Sequence, residues 1–214
     1  MFLTQRIRFA ALAATAGVLV TLAGCAGMSE QACLTTDWRT VGFEDGSLGR
    51  SETHIATYRK ACSDHGIAPD LEAYRAGHAQ GVEVYCRPGN GFEVGHSGAV
   101  YQGVCPAGAE KDFVAAYNSG RRLYELESAL HSVEAQIASN YYEQENIRGE
   151  LTTIAASMVA TETTAEQRIY MVSRTAELGR RYGELTEATK TLERQRAEHE
   201  RELREYQQTL AARL

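Results

Sequence analysis

GFEDGSLG at residues 42–49 and GFEVGHSG at residues 91–98 are one phrase, G-F-E-x-G-x-x-G, written twice at an interval of 49 residues. Glycine repeated in this way serves a ligand-cradling loop or a tight piece of scaffold. The phosphate-loop alternative fails on chemistry. No G-K-[ST] follows either copy, and Glu44 or Glu93 would set a carboxylate inside the loop, where it repels phosphate. Nor is Gly95-His96-Ser97-Gly98 the G-x-S-x-G elbow of a hydrolase, and Ser97 has no assigned base or acid. Scaffold remains. Phe43, Tyr74, Phe92 and Tyr117 are each followed three residues later by a glycine (Gly46, Gly77, Gly95, Gly120), a spacing that lets a ring pack over bare backbone. The phrase is therefore expected to be a turn-forming unit, aromatic over glycine, used twice.

Each copy lies inside a bracket of cysteines: Cys33 and Cys62 flank the first, Cys86 and Cys105 the second. Four cysteines in a short segment predict two disulfides, with three connectivities open. The brackets favour Cys33 with Cys62 and Cys86 with Cys105 over crossed or nested pairs. A helix is expected from Ser51, with Ile55, Tyr58 and Cys62 on one face, stopped by Gly66 and Pro69. A second is capped by Asp70 and carries Leu71, Tyr74, His78, Val82 and Tyr85 inward, with Gly77 and Gly81 permitting close approach of another backbone. From Gly91 to Cys105 the pattern F-x-V, G-H-S-G, V-Y-x-x-V predicts a short β-hairpin. Residues 33–108 are thus expected to form a small α+β domain of two helices and a β-hairpin, stapled because so small a core is marginal alone.

The chain begins with Arg6 and Arg8, an apolar run from Phe9 to Leu22, and then Leu22-Ala23-Gly24-Cys25. Residues 1–24 are expected to be a signal peptide, and small residues before a cysteine resemble the lipobox of bacterial lipoproteins. That resemblance implies acylation of Cys25, with 25–32 as the linker beyond it, and a permanent anchor in the membrane. Ala26 follows the lipid cysteine instead of the Asp of an inner-membrane retention signal, so the periplasmic face of the outer membrane is the expected address. Such a compartment is oxidising, in keeping with paired cysteines. Removing the leader leaves 20 basic residues against 28 acidic ones, a net charge of −8, which argues against nucleic acid as a partner.

Taken together, Cys33, Asp37-Trp38, Gly42, Asp45-Gly46, Gly49, Cys62, Asp70, Tyr74, Gly77, Gly81, Tyr85-Cys86, Gly91, Gly95, Gly98, Tyr101 and Cys105 resemble a family of bacterial lipoproteins classed as domain of unknown function 2799 (DUF2799). The resemblance covers roughly residues 30 to 120 and implies no activity.

After about residue 108 proline and cysteine disappear and glycine thins out. Leu123, Leu126, Leu130, Val133, Ile137, Asn140, Gln144, Ile147, Leu151, Ile154 and Met158 follow one another at alternating spacings of three and four, a heptad seam. A second seam runs Met171, Thr175, Leu178, Tyr182, Leu185, Thr189, Leu192, Arg196, His199, Leu203, Tyr206 and Leu210. Between them Thr163 with Glu166, or Thr164 with Gln167, supplies a capping box for a new helix. In an antiparallel hairpin, paired residue numbers must have a constant sum. Ile154 with Met171 and Val133 with Leu192 add to 325, and Ile137 with Thr189 and Leu123 with Leu203 to 326. Residues 109–214 are accordingly expected to be an antiparallel coiled-coil hairpin, with helices at about 110–160 and 164–213 and Asn140 opposite Leu185.

His54, His65, His78 and His96 with Asp45, Asp64 and Asp70 are metal-ligand types, yet none has the spacing of a metal motif. No metal, cofactor or catalytic residue is assigned. The expectation is a non-enzymatic envelope scaffold or adaptor that binds a protein partner, or itself, through the hairpin. The alternative is a peptidoglycan- or glycan-binding module in which Trp38, Tyr58, Tyr85 and Tyr101 line the face.

Overall fold

The computed structural model describes residues 28–212; the expected signal peptide, residues 1–24, and Cys25 lie outside the described residues. Among these, every regular element is helical: α1 (Glu30–Thr35), α2 (Trp38–Ser47), a 3₁₀ turn (Glu52–His54), α3 (Ile55–Ser63), α4 (Leu71–Tyr85), α5 (Pro88–His96), α6 (Ala107–Val159) and α7 (Ala165–Ala211). The expected α+β class and its β-hairpin are therefore corrected: both glycine phrases are helices.

What overrides glycine's poor helix propensity of about 1 kcal/mol relative to Ala is the partner each phrase meets. Asp37 caps α2 through bonds from Arg39 N (3.1 Å) and Thr40 N (3.4 Å), and Pro88 opens α5 at a first-turn position where its missing N–H costs nothing. Gly42 and Gly46 lie one turn apart and face Gly77 and Gly81 of α4. A Cβ on any of the four would fall inside 3.0 Å of a backbone atom of the facing helix. The two backbones are in direct contact, a closeness only glycine permits. Gly91 and Gly95 make the same contact with the start of α6, where Gly120 answers them.

The last glycine of each phrase has a different task. Gly49 (φ 71°) and Gly98 (φ 77°) end their helices in the left-handed region. At the first, Gly49 N donates to Gly46 O (3.0 Å) and Arg50 N to Asp45 O (2.9 Å), the paired bonds of a Schellman cap. Tyr85 lies over Gly49, and Tyr124 over Gly98. The aromatic-over-glycine expectation is thus corrected in its particulars. Rings cover the terminating glycines, while Gly46, Gly77, Gly95 and Gly120 meet backbone.

The β-hairpin signal had a second half, Val100-Tyr101-x-x-Val104, which is irregular chain. Tyr101 packs on Phe113 (ring centroids 4.9 Å apart) and its hydroxyl accepts from Cys105 N (2.9 Å), so the segment serves the core of the second helix pair.

Phrase and partner recur as a unit. Gly42 meets Tyr74 O as Gly91 meets Phe113 O; Gly46 meets His78 O as Gly95 meets Tyr117 O; Gly81 meets Phe43 O as Gly120 meets Phe92 O. The phrases are 49 residues apart and their partners 39, so the second connection is ten residues shorter; it lacks a counterpart of the nine-residue α3. The domain is two copies of one module, each a glycine-seated helix pair with its own apolar cluster, Trp38, Ile55 and Tyr74 in the first and Val82, Tyr85 and Phe113 in the second.

Helix α6 closes the second module and continues without interruption as the first arm of the hairpin. Leu123, Leu126, Val133, Ile137, Gln144 and Ile147 are buried on it, and Leu178, Leu185 and Thr189 on α7. Arg174 bonds Glu150 and Arg181 bonds Glu143, both at 2.7 Å, and near the base Tyr206 Oη donates to Ser119 O at 2.8 Å. These pairs add to 324, 324 and 325, an antiparallel register. In that register Asn140 stands opposite Leu185, as expected, and its Nδ2 donates to Thr189 Oγ1 (3.2 Å), one turn along. The turn uses Thr164 and Gln167 as its capping box, with Gln167 N on Thr164 Oγ1 (3.2 Å) and Thr164 N on Gln167 Oε1 (2.8 Å). At 1.5 Å per residue the arms are about 80 and 70 Å long.

Candidate functional site

The cysteines form the bonds Cys33–Cys62 and Cys86–Cys105, one in each module. The first joins α1 to α3, and the second joins the end of α4 to the loop that replaces α3.

The histidines do not converge. His65 Nε2 meets Met28 O (3.0 Å), His78 Nε2 donates to Arg50 O (2.8 Å), and His96 Nε2 meets Glu127 Oε2 (2.8 Å) on α6. His54 packs edge-on against Tyr58. Among the described residues no three His, Cys, Asp or Glu side chains come together as metal ligands. His199 lies in the hairpin seam with its Nδ1 buried and without a hydrogen-bond partner. Of the aromatic residues considered for a glycan face, Trp38 and Tyr85 are core residues, and Tyr58 and Tyr101 are half-buried against them.

One polar group is carried deep into the first module. Asp45, 1% exposed, accepts from Arg50 Nη1 (2.8 Å) and Tyr58 Oη (3.2 Å) on Oδ1 and from Tyr74 Oη (2.8 Å) on Oδ2. Three elements supply these donors: the cap after α2, α3 and α4. Burial, then the bond to Asp45, pushes the Tyr74 hydroxyl well above the usual tyrosine range; burial also raises Tyr58. The bond that Arg50 donates to Asp45 holds its guanidinium charged. Because Arg50 O also accepts from His78, the exit of α2 is tied to α4 through backbone and side chain together. In the second module the positions corresponding to Asp45, Arg50 and Tyr74 are Val94, Ala99 and Phe113, and Tyr58, on α3, has no counterpart. The same architecture is built there around apolar groups, so the fold itself does not demand the buried carboxylate. The Asp45 cluster is satisfied internally and presents no open valence to a ligand. Sequence reasoning placed Asp45 among metal-ligand types; its tyrosine partners were legible only as members of the apolar stripes.

A shallow cleft of about 470 Å³ lies between the modules, lined by Ser51, Glu52, His78, Glu83, Gly103 and Val104 among others. Glu52 is already engaged with Arg75 across its edge.

The opposite end of the molecule has another character. Val159 (81% exposed), Ile169 (72%), Tyr170 (68%) and Val172 (57%) cluster where α6 turns into α7. Seam residues Ile154, Met158 and Met171 are only half-covered there. From Leu151 to Ser173 the chain has three charged residues, Glu162, Glu166 and Arg168. From Glu193 to Glu205, near the base of the rod, nine of thirteen are Arg or Glu. Arg168 is spent within the turn, donating to Met158 O and Ala160 O and so capping the free carbonyls of α6. The apolar side chains of the tip were visible in sequence, but as seam and flanking positions; their exposure follows from where the hairpin ends.

No helix among the described residues is long and apolar enough to cross a membrane. No curated protein and no solved structure matches the chain. Residues 37–122 match the family model described as protein of unknown function (DUF2799), a match that spans both glycine phrases from the Asp37 cap to the start of the rod.

Proposed function

We propose that the chain is an adaptor of the bacterial cell envelope, anchored by lipid on Cys25 at the periplasmic face of the outer membrane. The module pair is its base, and the hairpin, running from Leu123 to Val159 at 1.5 Å per residue, presents a docking tip about 55 Å away. The single observation that carries this proposal is the gradient along the rod: a densely charged, internally ion-paired shaft ends in an apolar tip with four largely exposed side chains. Exposed apolar residues clustered in one place mark contact surfaces. Continuity of α6 adds a mechanical reason, because it fixes the rod's direction to the module pair.

An adaptor of fixed reach depends on length. Deleting 130–143 together with 182–195 removes two heptads from each arm, keeps the register, and shortens the rod by about 20 Å. Cross-linking from the tip is expected to fail in intact cells and to return after the envelope is solubilised. If the shortened chain cross-links in intact cells as well as the full chain does, the fixed-reach adaptor is wrong. Co-sedimentation of the full chain with purified sacculi, unchanged by Ile169→Ser and Tyr170→Ser, would instead support glycan binding by the base.

A further inference from the structure

We propose that the tip seats in an apolar socket rimmed by lysine or arginine on a different protein; the inference rests on the adaptor function above and names the chemistry of its partner. Two properties of the tip select this occupant. The first is charge. Arg168 is half-buried and turned onto the α6 carbonyls, so the exposed charges beside Val159, Ile169, Tyr170 and Val172 are Glu162 and Glu166. A second copy would bring the same two acids against these, and an anionic lipid surface would repel them. A basic rim complements them.

The second property is area. The four exposed side chains together offer roughly 500 Å² of accessible surface, below the roughly 800 Å² per partner of a stable protein interface. Two convex tips abutting each other cannot make up that shortfall. A concave surface can, by wrapping Met158, Met171 and the flanks of both helices as well as the four apical residues. The partner is therefore concave where the tip is convex.

The full-length chain carrying a benzophenone side chain at position 169 is irradiated in cells, and the adduct is digested and sequenced by mass spectrometry. The expected adduct is heterologous, its cross-linked peptide apolar with Lys or Arg within a few residues. Its yield is expected to fall at least about fivefold in Glu162→Lys/Glu166→Lys, while Glu187→Lys on the shaft leaves it unchanged. Circular dichroism checks that both variants retain the helical content of the parent. An adduct between two copies, an adduct with lipid alone, or a yield indifferent to the Glu162/Glu166 reversal overturns the socket. Of these, a self-adduct or a charge-indifferent protein adduct leaves the adaptor function standing. No protein adduct from position 169 or from shaft position 142 removes both.

Discussion

Replacing Asp45 alone should damage the first module far more than replacing its whole polar cluster. Asp45→Val removes the acceptor for three donors at once. Tyr74 Oη, in the core, is left without a partner, as are Tyr58 Oη and the half-exposed Arg50 guanidinium. Breaking a buried charged pair by deleting one side costs about 3–5 kcal/mol. Arg50, with 45% of its side chain exposed, can return to water and contributes little of that. The two hydroxyls carry most of it, at about 1–3 kcal/mol for each stranded group. The second module shows the repair: Val94, Ala99 and Phe113 occupy the same positions. Asp45→Val/Arg50→Ala/Tyr58→Phe/Tyr74→Phe should therefore lie within about 1.5 kcal/mol of the parent, since a well-packed apolar set replaces a buried ionic one at little cost. Trp38 is the chain's single tryptophan and packs in this core with its ring 5.8 Å from Tyr58. Urea unfolding followed by Trp38 fluorescence reports this module directly. If the single and quadruple variants lose equal stability, the equivalence of the two module cores is refuted.

Alkaline conditions should unfold the modules through their tyrosines. Burial raises Tyr58, Tyr74, Tyr85 and Tyr101. Each favours its neutral form in the folded state, so stability is intact below the unfolded value near pH 10 and is lost as pH climbs toward the folded value. Tyrosinate absorbance should rise together with loss of Trp38 fluorescence, and Tyr74→Phe should shift the transition upward in pH relative to its own neutral-pH stability. Among the glycines, Gly46→Ala and Gly81→Ala should each cost more than about 2 kcal/mol because backbone must part from backbone, whereas Gly149→Ala, open to solvent in α6, should stabilise by about 0.5–1 kcal/mol; thermal melts separate the two classes. Cys33→Ser/Cys62→Ser should cost the first module about 2–5 kcal/mol and leave the helicity of the rod unchanged, as read by Trp38 fluorescence and far-ultraviolet dichroism respectively.

The rod was legible because its signal is redundant: many seam positions repeat one constraint, and the antiparallel sum checks them against each other. Asn140 shows the limit, since a side-chain amide chooses its partner within a turn of the expected register. The glycine phrases were misjudged for a physical reason. Local propensity treats glycine as a breaker, but Gly42, Gly46, Gly91 and Gly95 are required by a helix that approaches from far along the chain. Propensity contains no information about that neighbour. Cues were nevertheless present in Asp37 before the first phrase and Pro88 before the second, both helix-start residues.

Duplication also explains how the base and the rod are joined. In the first module the second helix of the pair, α4, stops at Tyr85 and passes directly to Cys86, where the next module begins. Its counterpart α6 has no such stop, since the chain after Tyr124 runs on in heptads. The close contact of α5 on Gly120, the cover of Tyr124 over Gly98 and the bond from Arg121 Nη1 to Gly98 O (2.7 Å) grip α6 just before the seam begins. His96 holds Glu127 one turn further. A force on the tip is thus delivered to the second module through a single helix, with Tyr206 on Ser119 securing the returning arm. Glycine at position 120 is the residue on which this depends. A Cβ there would meet Phe92 O and His96 N, push α5 off the helix, and loosen the rod at its root without disturbing one residue of the seam.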